Sequence, residues 1–300
     1  MSKHRYWIVL FFVWLLPISG NAADNGEYGR NLLWQVKKAN VTVGYILGTI
    51  HSEDARIDPM VAAILPYVRD SQGFALEINM DEQTMAALQQ VMLLPADQFL
   101  PELLGAELYR AVLAIATEHG LPEAVLLRLK PWAVFVNLSM PPPRSGMFMD
   151  LKLLRAAREL DKSLHGLETL DQHLGALEQL PLEDQRKLLQ QMVGEYGGMA
   201  AVIEQMHQAY LQQDLQRIQQ INDDMLTHGD QRLAKKLMQQ MVFDRNVRMA
   251  ASMQELFARQ VSFVAIGALH LPGKQGVLHL LHRRGFVLEP VRLASKMEKP

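Results

Sequence analysis

The 300-residue sequence contains no cysteine, so it can form neither disulfide bonds nor thiolate metal sites, and we expect no cysteine-linked lipid anchor. It also has no long basic run, which argues against nucleic acid as a partner, because phosphate recognition depends on clustered lysine and arginine. With 49% hydrophobic and 21% charged residues, the composition is that of an ordinary globular protein. Such a chain must be held together by its core, or by its core and a metal.

A long hydrophobic run is also missing. The apolar stretch near the start, Tyr6–Leu16, is about half the ~20 residues needed to span a bilayer. It follows a basic segment and precedes small residues, which is the pattern of a secretory signal peptide. We therefore expect residues 1–23 to be cleaved, no stable membrane anchor to remain, and the mature chain to be periplasmic or secreted. Removing residues 1–22 takes away Lys3 and Arg5 and no acid, which moves the formal net charge from −2 to −4.

The remaining residues, 24–300, are enough for one large domain. Short apolar runs alternate with segments of helical spacing, which predicts an α/β fold around a central mixed β-sheet. Strands are predicted at residues 32–36, 41–50, 73–79, 161–168, 261–266 and 286–291. We expect a single domain in which a large helical insertion, about 81–160 and 169–259, forms a cap over the sheet.

One short motif, Gly-x-x-His, occurs twice, each time at the end of an apolar strand. The first copy ends at His51 and the second at His270. Strand ends are where α/β proteins place their chemistry, because side chains there are held by packed backbone and yet face a crevice. The duplication predicts two pseudo-equivalent halves and one site built from both ends of the sequence.

Glu77 interrupts the apolar run at 73–79 and completes a set of two imidazoles and one carboxylate. Such a set suits a divalent transition metal such as Mn, Co or Zn, and it leaves positions open for water and substrate. A bound ion of this kind acidifies its water and polarises a carbonyl group. Alternatively, Glu77 is the general base and not a ligand. The residues alone leave both roles open.

The chain resembles the TraB/PrgY/GumN family from about Asn31 to Val291. Six motifs, taken in order, carry the resemblance: Leu47–His51, Ala75–Glu77, Leu129–Trp132, Gly166–Thr169, Asp244–Asn246 and Gly267–Gly273. This family includes the Tiki metalloproteases and is related more distantly to erythromycin esterase and to ChaN-like haem-binding lipoproteins.

The resemblance implies an α/β fold with a metal-dependent hydrolytic centre. His51 and His270 become the metal ligands, while Glu77 becomes a ligand or the base. Arg245 falls on the arginine of the family motif and could hold a substrate carboxylate or stabilise an oxyanion, since its planar fork binds oxygens in pairs. Asn246 is its neighbour and a weaker candidate.

Other residues carry less specific signals. Glu168 ends a predicted strand and could accept a hydrogen bond from a ligating histidine; alternatively it is an exposed acid or caps the next helix. Arg245, taken without the resemblance, would lie with Arg248 on a helix that faces solvent. No role is assigned to Asp150, because at Gly146–Asp150 the glycine and the aspartate are farther apart than in the family pattern. The other histidines with no paired spacing that suggests ligands are His119, His165, His173, His207, His228, His279 and His282.

Together these patterns predict a periplasmic or secreted metal-dependent hydrolase that acts on a peptide or on another small acyl substrate. An alternative from another class is a non-catalytic protein that binds a metal, haem or a peptide in the same cleft. A third is a scaffold that sequesters a secreted peptide. No oligomeric state is predicted.

Overall fold

The computed structural model describes residues 28–226 and 229–293, and the expected signal peptide lies outside them. The strands in this part of the chain are β1 (Leu33–Lys38), β2 (Val41–Thr49), β3 (Gly73–Ile78), β4 (Ser163–Glu168), β5 (Ser262–Gly267) and β6 (Val287–Val291). Its α-helices are α1 (Asp58–Arg69), α2 (Glu82–Val91), α3 (Leu100–Leu104), α4 (Ala106–Glu118), α5 (Glu123–Leu126), α6 (Pro131–Leu138), α7 (Met149–Glu159), α8 (Leu170–Glu178), α9 (Leu182–Leu211), α10 (Leu215–Leu226), α11 (Gln231–Met238), α12 (Asp244–Arg259) and α13 (Val277–Arg283). A π-helix spans Gln239–Phe243, and 3₁₀ turns span Ala55–Ile57 and Ala268–His270. None of the helices described combines the length and the apolar character that crossing a bilayer requires.

The strands form one six-stranded sheet in the order β4-β3-β5-β2-β1-β6. β4, β3, β5 and β2 run parallel to one another, whereas β1 pairs antiparallel with both β2 and β6. The predicted α/β fold with a mixed sheet is therefore confirmed. β2 and β5, which carry the two Gly-x-x-His motifs, are direct neighbours, with Thr49 opposite Gly267. That they belong to two equivalent halves of the sheet stays a prediction.

β1 and β2 form an antiparallel hairpin at the start of the sheet. Its two turn residues, Ala39 and Asn40, have φ angles of 47° and 63°. Two successive left-handed residues are the backbone of a type I′ turn, whose twist matches that of the strands it joins. This turn sets the register in which β2 enters the sheet.

The centre of the sheet is apolar. Every residue of β3 and β5 is buried, as expected for parallel strands in the middle of an α/β sheet. Phe74 and Phe263 stack across these two strands with ring centroids 6.0 Å apart. Helices α1, α7 and α12 contact the sheet strands. The strand ends are thus fixed by a packed core, which is what a precise site requires.

The chain divides into two compact units. Of the described residues, the sheet unit contains 28–80, 147–173, 204–226 and 229–293, and the helical unit contains 81–146 and 174–203. In the helical unit, Trp132 is buried and donates from Nε1 to Glu178 Oε2 over 2.8 Å. The family motif around Trp132 therefore serves the packing of that unit. A cap over the sheet, formed by the helical segments of a single domain, stays a prediction.

Candidate active site

Four parallel strands of the sheet unit each bring one predicted site residue to their carboxyl ends. Glu77 is the penultimate residue of β3, and Glu168 is the last residue of β4. His51 follows β2, and His270 follows β5. The carboxyl ends of parallel strands lie at one edge of a sheet, where open α/β proteins bind their ligands. Residues far apart in the sequence are thereby gathered at one edge.

The glycine of the first motif makes this arrangement possible. A Cβ atom on Gly48 would lie 3.0 Å from the Cα of Ala268 and 2.7 Å from the Cδ1 of Leu271. Both of these residues belong to the second motif segment. Gly48 is therefore required for the two Gly-x-x-His segments to lie side by side.

Glu77 is buried and uses both of its carboxylate oxygens. Oε1 accepts a hydrogen bond from the backbone N–H of Gly267 over 2.8 Å, and Oε2 pairs with Nη2 of Arg245. Burial alone would raise the pKa of Glu77, but Arg245, His270, His173 and the Gly267 N–H together lower it to about 2. Glu77 is thus a carboxylate at neutral pH.

Arg245 is buried between two acids. Its Nε donates to Glu168 Oε2 over 2.7 Å, and its Nη2 donates to Glu77 Oε2 and to His173 Nδ1, the latter over 2.8 Å. Burial alone would lower the pKa of Arg245, but Glu77 and Glu168 raise it, so the guanidinium stays charged. Arg248, which is partly exposed, pairs with Glu168 Oε1 at 3.2 Å. Two arginines therefore balance the charges of two buried carboxylates.

Arg245 and Asn246 reach different partners because they are consecutive helical residues, which point about 100° apart. They lie in the first turn of α12, directly after the π-helix at Gln239–Phe243. Such wider turns occur often at functional sites, where they change the direction in which the following side chains point. Arg245 reaches the strand acids, and Asn246 reaches His270.

His270 is held by Asn246. Its Nδ1 lies 2.7 Å from Asn246 Oδ1, while Asn246 Nδ2 donates to the carbonyl of Gln275 over 2.8 Å and so fixes the amide. Nδ1 must then carry the proton, which leaves a lone pair on Nε2. That Nε2 lies 3.7 Å from Glu77 Oε1. Burial is the main reason that the pKa of His270 falls to about 4, so the ring is neutral at neutral pH.

His51 is held in the same way by a different acceptor. Its Nδ1 lies 3.3 Å from Asp150 Oδ2, and Asp150 Oδ1 accepts a hydrogen bond from Thr49 Oγ1 over 2.6 Å. The ring stacks on Phe148 with centroids 4.1 Å apart. The carboxylate assigns the proton to Nδ1 and the lone pair to Nε2. Both motif histidines therefore have an acceptor at Nδ1, as metal-binding histidines usually do.

Two of these residues were missed by the sequence analysis. Asp150 was given no role, yet it is buried and orients His51. His173 was set aside for lack of paired spacing, yet its Nδ1 accepts from Arg245. The sequence feature nearest to the role of Asp150 was the Gly146–Asp150 spacing, which differs from the family pattern. No sequence signal pointed to His173, because its partner comes from another helix.

Glu168 holds Arg245 and does not cap the next helix. The capping is done by Thr169 and Gln172, each of whose side chains accepts a hydrogen bond from the backbone N–H of the other, over 3.2 Å and 3.0 Å. This reciprocal pair is the capping box found at helix starts. The buried Glu168 carboxylate is left for Arg245 and Arg248.

Glu77, Glu168, Arg245, Asn246 and His270 thus form one connected network, with His51 and Asp150 as a separate hydrogen-bonded pair. Among the described residues, one group of three side chains places its ligand atoms within 4.8 Å of one another. It consists of Asp54, Glu204 and His207, and not of Glu77 and the two motif histidines. That group could hold a metal ion, although Arg56 already pairs with both of its carboxylates.

The fold and the site define an α/β protein with buried histidines and carboxylates at the carboxyl ends of its parallel strands. The chain belongs to the TraB/PrgY/gumN family, whose model matches residues 32–290. It is also similar to Metalloprotease TIKI1 of Danio rerio. The alignment is 346 residues long with 23% identity, and it covers 92% of this chain and 68% of the relative. No solved structure matches the chain.

Proposed function

We propose that this protein is a metal-dependent hydrolase whose metal ligands are His51, Glu77 and His270. The observation that carries the proposal is that both motif histidines are hydrogen-bonded in the same way, each through Nδ1 to a buried acceptor. Each has a buried acceptor at Nδ1, Asp150 or Asn246, so each presents a lone pair at Nε2.

The donor set fits a divalent transition metal such as Mn, Co or Zn. Two imidazoles and one carboxylate are the ligand types that these ions accept. His270 Nε2 and Glu77 Oε1 lie 3.7 Å apart, and both carry lone pairs that a cation between them would stabilise. When bound, the metal would activate a water and polarise the substrate carbonyl.

Glu77 fits the role of ligand better than that of general base. A carboxyl group whose pKa is about 2 stays ionised and takes up a proton only weakly. We therefore assign Glu77 to binding the metal, with Arg245 holding Oε2 so that Oε1 faces His270. The substrate role that the family suggests for Arg245 would require it to release one of the acids it holds.

The proposed substrate is a peptide or another small acyl compound. The name of the Danio rerio relative, a metalloprotease, supports a peptide first. The signal-like start of the sequence supports action outside the cytoplasm, in the periplasm or after secretion. The N-terminus of the protein recovered from the extracellular or periplasmic fraction would test this part of the proposal.

The metal content of the mature chain, residues 24–300, tests the centre itself. After metal-free purification and back-titration with Mn, Co and Zn, we expect about one tightly bound ion per chain. His51→Ala and His270→Ala should each lose it while circular dichroism stays unchanged. His282→Ala, an exposed histidine of α13, is the matched control and should bind as the wild type does. An ion retained in both motif variants would refute the shared site.

A second candidate function is binding without turnover, of a metal, haem or a peptide. The low pKa of Glu77 favours it, because the network around this carboxylate then contains no strong base. Turnover of a fluorogenic peptide or of a nitrophenyl ester distinguishes the two. Metal-loaded wild type that binds these compounds and leaves them uncleaved would favour the binding function.

A further inference from the structure

A second group of polar side chains begins directly after His51 and is built around a serine. Ser52 Oγ lies 2.7 Å from His207 Nε2, and His207 Nδ1 lies 3.6 Å from Asp54 Oδ2. Serine, histidine and aspartate thus lie in the order of a nucleophile, a base and an orienting acid, although the 3.6 Å between His207 and Asp54 is longer than a hydrogen bond. All three residues belong to the sheet unit.

The proton positions in this group follow from its donors and acceptors. The backbone N–H of Asp54 donates to Ser52 Oγ over 3.0 Å, and the serine hydroxyl still has its own proton to donate to His207. The Asp54 carboxylate lies 3.6 Å from Nδ1 of His207 and favours the tautomer that has its proton on Nδ1 and a lone pair on Nε2. In that tautomer Ser52 donates to His207 Nε2, as it must for a histidine to remove its proton.

Arg56 fixes the acid of the group. Its Nη2 lies 2.6 Å from Asp54 Oδ2 and 2.7 Å from Glu204 Oε2, and its Nε and Nη1 add further hydrogen bonds to the same two carboxylates. Glu204 and His207 are three residues apart on α9 and so share a helix face. Because the Arg56 guanidinium already occupies oxygens of both carboxylates and offsets one of their two charges, the group is less open to a cation than two free acids would be.

We propose that Ser52, His207 and Asp54 form a nucleophilic triad that accepts an acyl group from small carboxylic esters, independently of the metal centre. Ser52 Oγ bonds to the acyl carbon as the bond from that carbon to the alcohol oxygen breaks. The serine proton passes to His207 Nε2 and from there to the departing alcohol. A water then adds to the acyl carbon and gives a proton to His207. That proton returns to Ser52 as the Oγ–carbon bond breaks and the carboxylic acid leaves.

The test uses a small reagent, because Ser52 is only 5% exposed. Diisopropyl fluorophosphate would be added to the mature chain in EDTA, and the tryptic peptide 39–56, in which Ser52 is the sole serine, would be followed by mass spectrometry. The nucleophile forms an Oγ–phosphorus bond and fluoride leaves. Labelling of this peptide in wild type and its absence in Ser52→Ala are the expected results.

Two further variants test whether His207 acts as the general base or only lies next to Ser52. His207→Gln should label at least about 100-fold more slowly, because it lacks the general base. Ser71→Ala is the matched control and should change nothing at peptide 39–56: Ser71 is also buried, but its hydroxyl donates to a backbone carbonyl over 2.9 Å.

Three outcomes would overturn the proposal. The first is folded wild type that leaves peptide 39–56 unlabelled, a result that depends on no variant. The second is equal labelling rates in wild type and in folded His207→Gln. The third is labelling that EDTA abolishes and added metal restores, because Ser52 would then depend on the metal centre. A wild-type protein that binds no metal ion and is still labelled at peptide 39–56 would refute the proposed hydrolase centre and support the triad.

Discussion

Replacing Arg245 by methionine tests the buried network most directly. The substitution keeps a long apolar side chain and removes the charge that Glu77 and Glu168 share. Leaving one partner of a buried pair uncompensated costs about 3–5 kcal/mol of folding free energy at neutral pH. The wild-type pKa gives a consistent magnitude: lowering the pKa of Glu77 from 4.5 to about 2 corresponds to about 3 kcal/mol of stability.

The pH dependence of this loss has a definite sign. In the wild type, the pKa of Glu77 is lowered, so its contribution is present above pH 4.5 and is lost as the pH falls towards about 2. In Arg245→Met, burial becomes the dominant influence and raises the pKa of Glu77, so the variant regains stability as the pH falls from neutral to 4.5. The difference between the two proteins should therefore shrink from pH 7 to pH 4.5.

Urea unfolding in metal-free buffer at pH 7, 6 and 4.5, followed by circular dichroism, measures this difference. Arg259→Met is the matched control, because Arg259 lies exposed on the same helix, and it should change stability by less than about 0.5 kcal/mol. A loss below about 1 kcal/mol at pH 7 in Arg245→Met would refute the reasoning, given the magnitude expected for a buried pair. A loss that does not change with pH would refute the assignment to Glu77.

Three further predictions concern single positions. Gly48→Ala should destabilise the fold by about 1–3 kcal/mol in urea unfolding, because the new Cβ would meet the backbone of Ala268; unchanged stability would show that the two motif segments can move apart. Asp150→Asn should weaken Mn, Co or Zn binding in a back-titration by about 10–100-fold through His51, and wild-type affinity would argue against that orienting role. Burial raises the pKa of Asp223 to about 6, so its ionisation disfavours the folded state as the pH rises from 4 to 6. Asp223→Asn should therefore add about 1–2 kcal/mol at pH 7, after allowance for partial exposure, and should remove that decline; a variant that keeps the decline would contradict it.

The strand positions could be predicted from the sequence because each apolar run is short and bounded by turn residues. The predicted strands at 41–50 and 261–266 agree with β2 and β5 to within two residues at each end. The placement of Glu77 near a strand end followed from the same pattern. What a local pattern predicts well is the direction of a strand and the residue at its end.

The partners of these residues could not be predicted, because they depend on how helices pack on the sheet. Asp150 lies 99 positions after His51 in the sequence, and Arg245 lies 72 positions after His173. The helical spacing around Arg245 favoured an exposed side chain, and two buried acids override it. The charges of Glu77 and Glu168 decide the burial of Arg245, and this pairing is not encoded in any local segment.

The order of the strands makes the candidate site a late product of folding. β5 lies between β2 and β3 in the sheet, although it begins 184 positions after the end of β3 and 213 positions after the end of β2. Closing such a long connection is slow relative to forming local contacts. Glu77 receives its backbone hydrogen bond from Gly267 at the end of β5, and His270 follows three residues later. The proposed ligand set therefore cannot assemble before β5 inserts, so the proposed metal centre and the completed sheet should form in the same step.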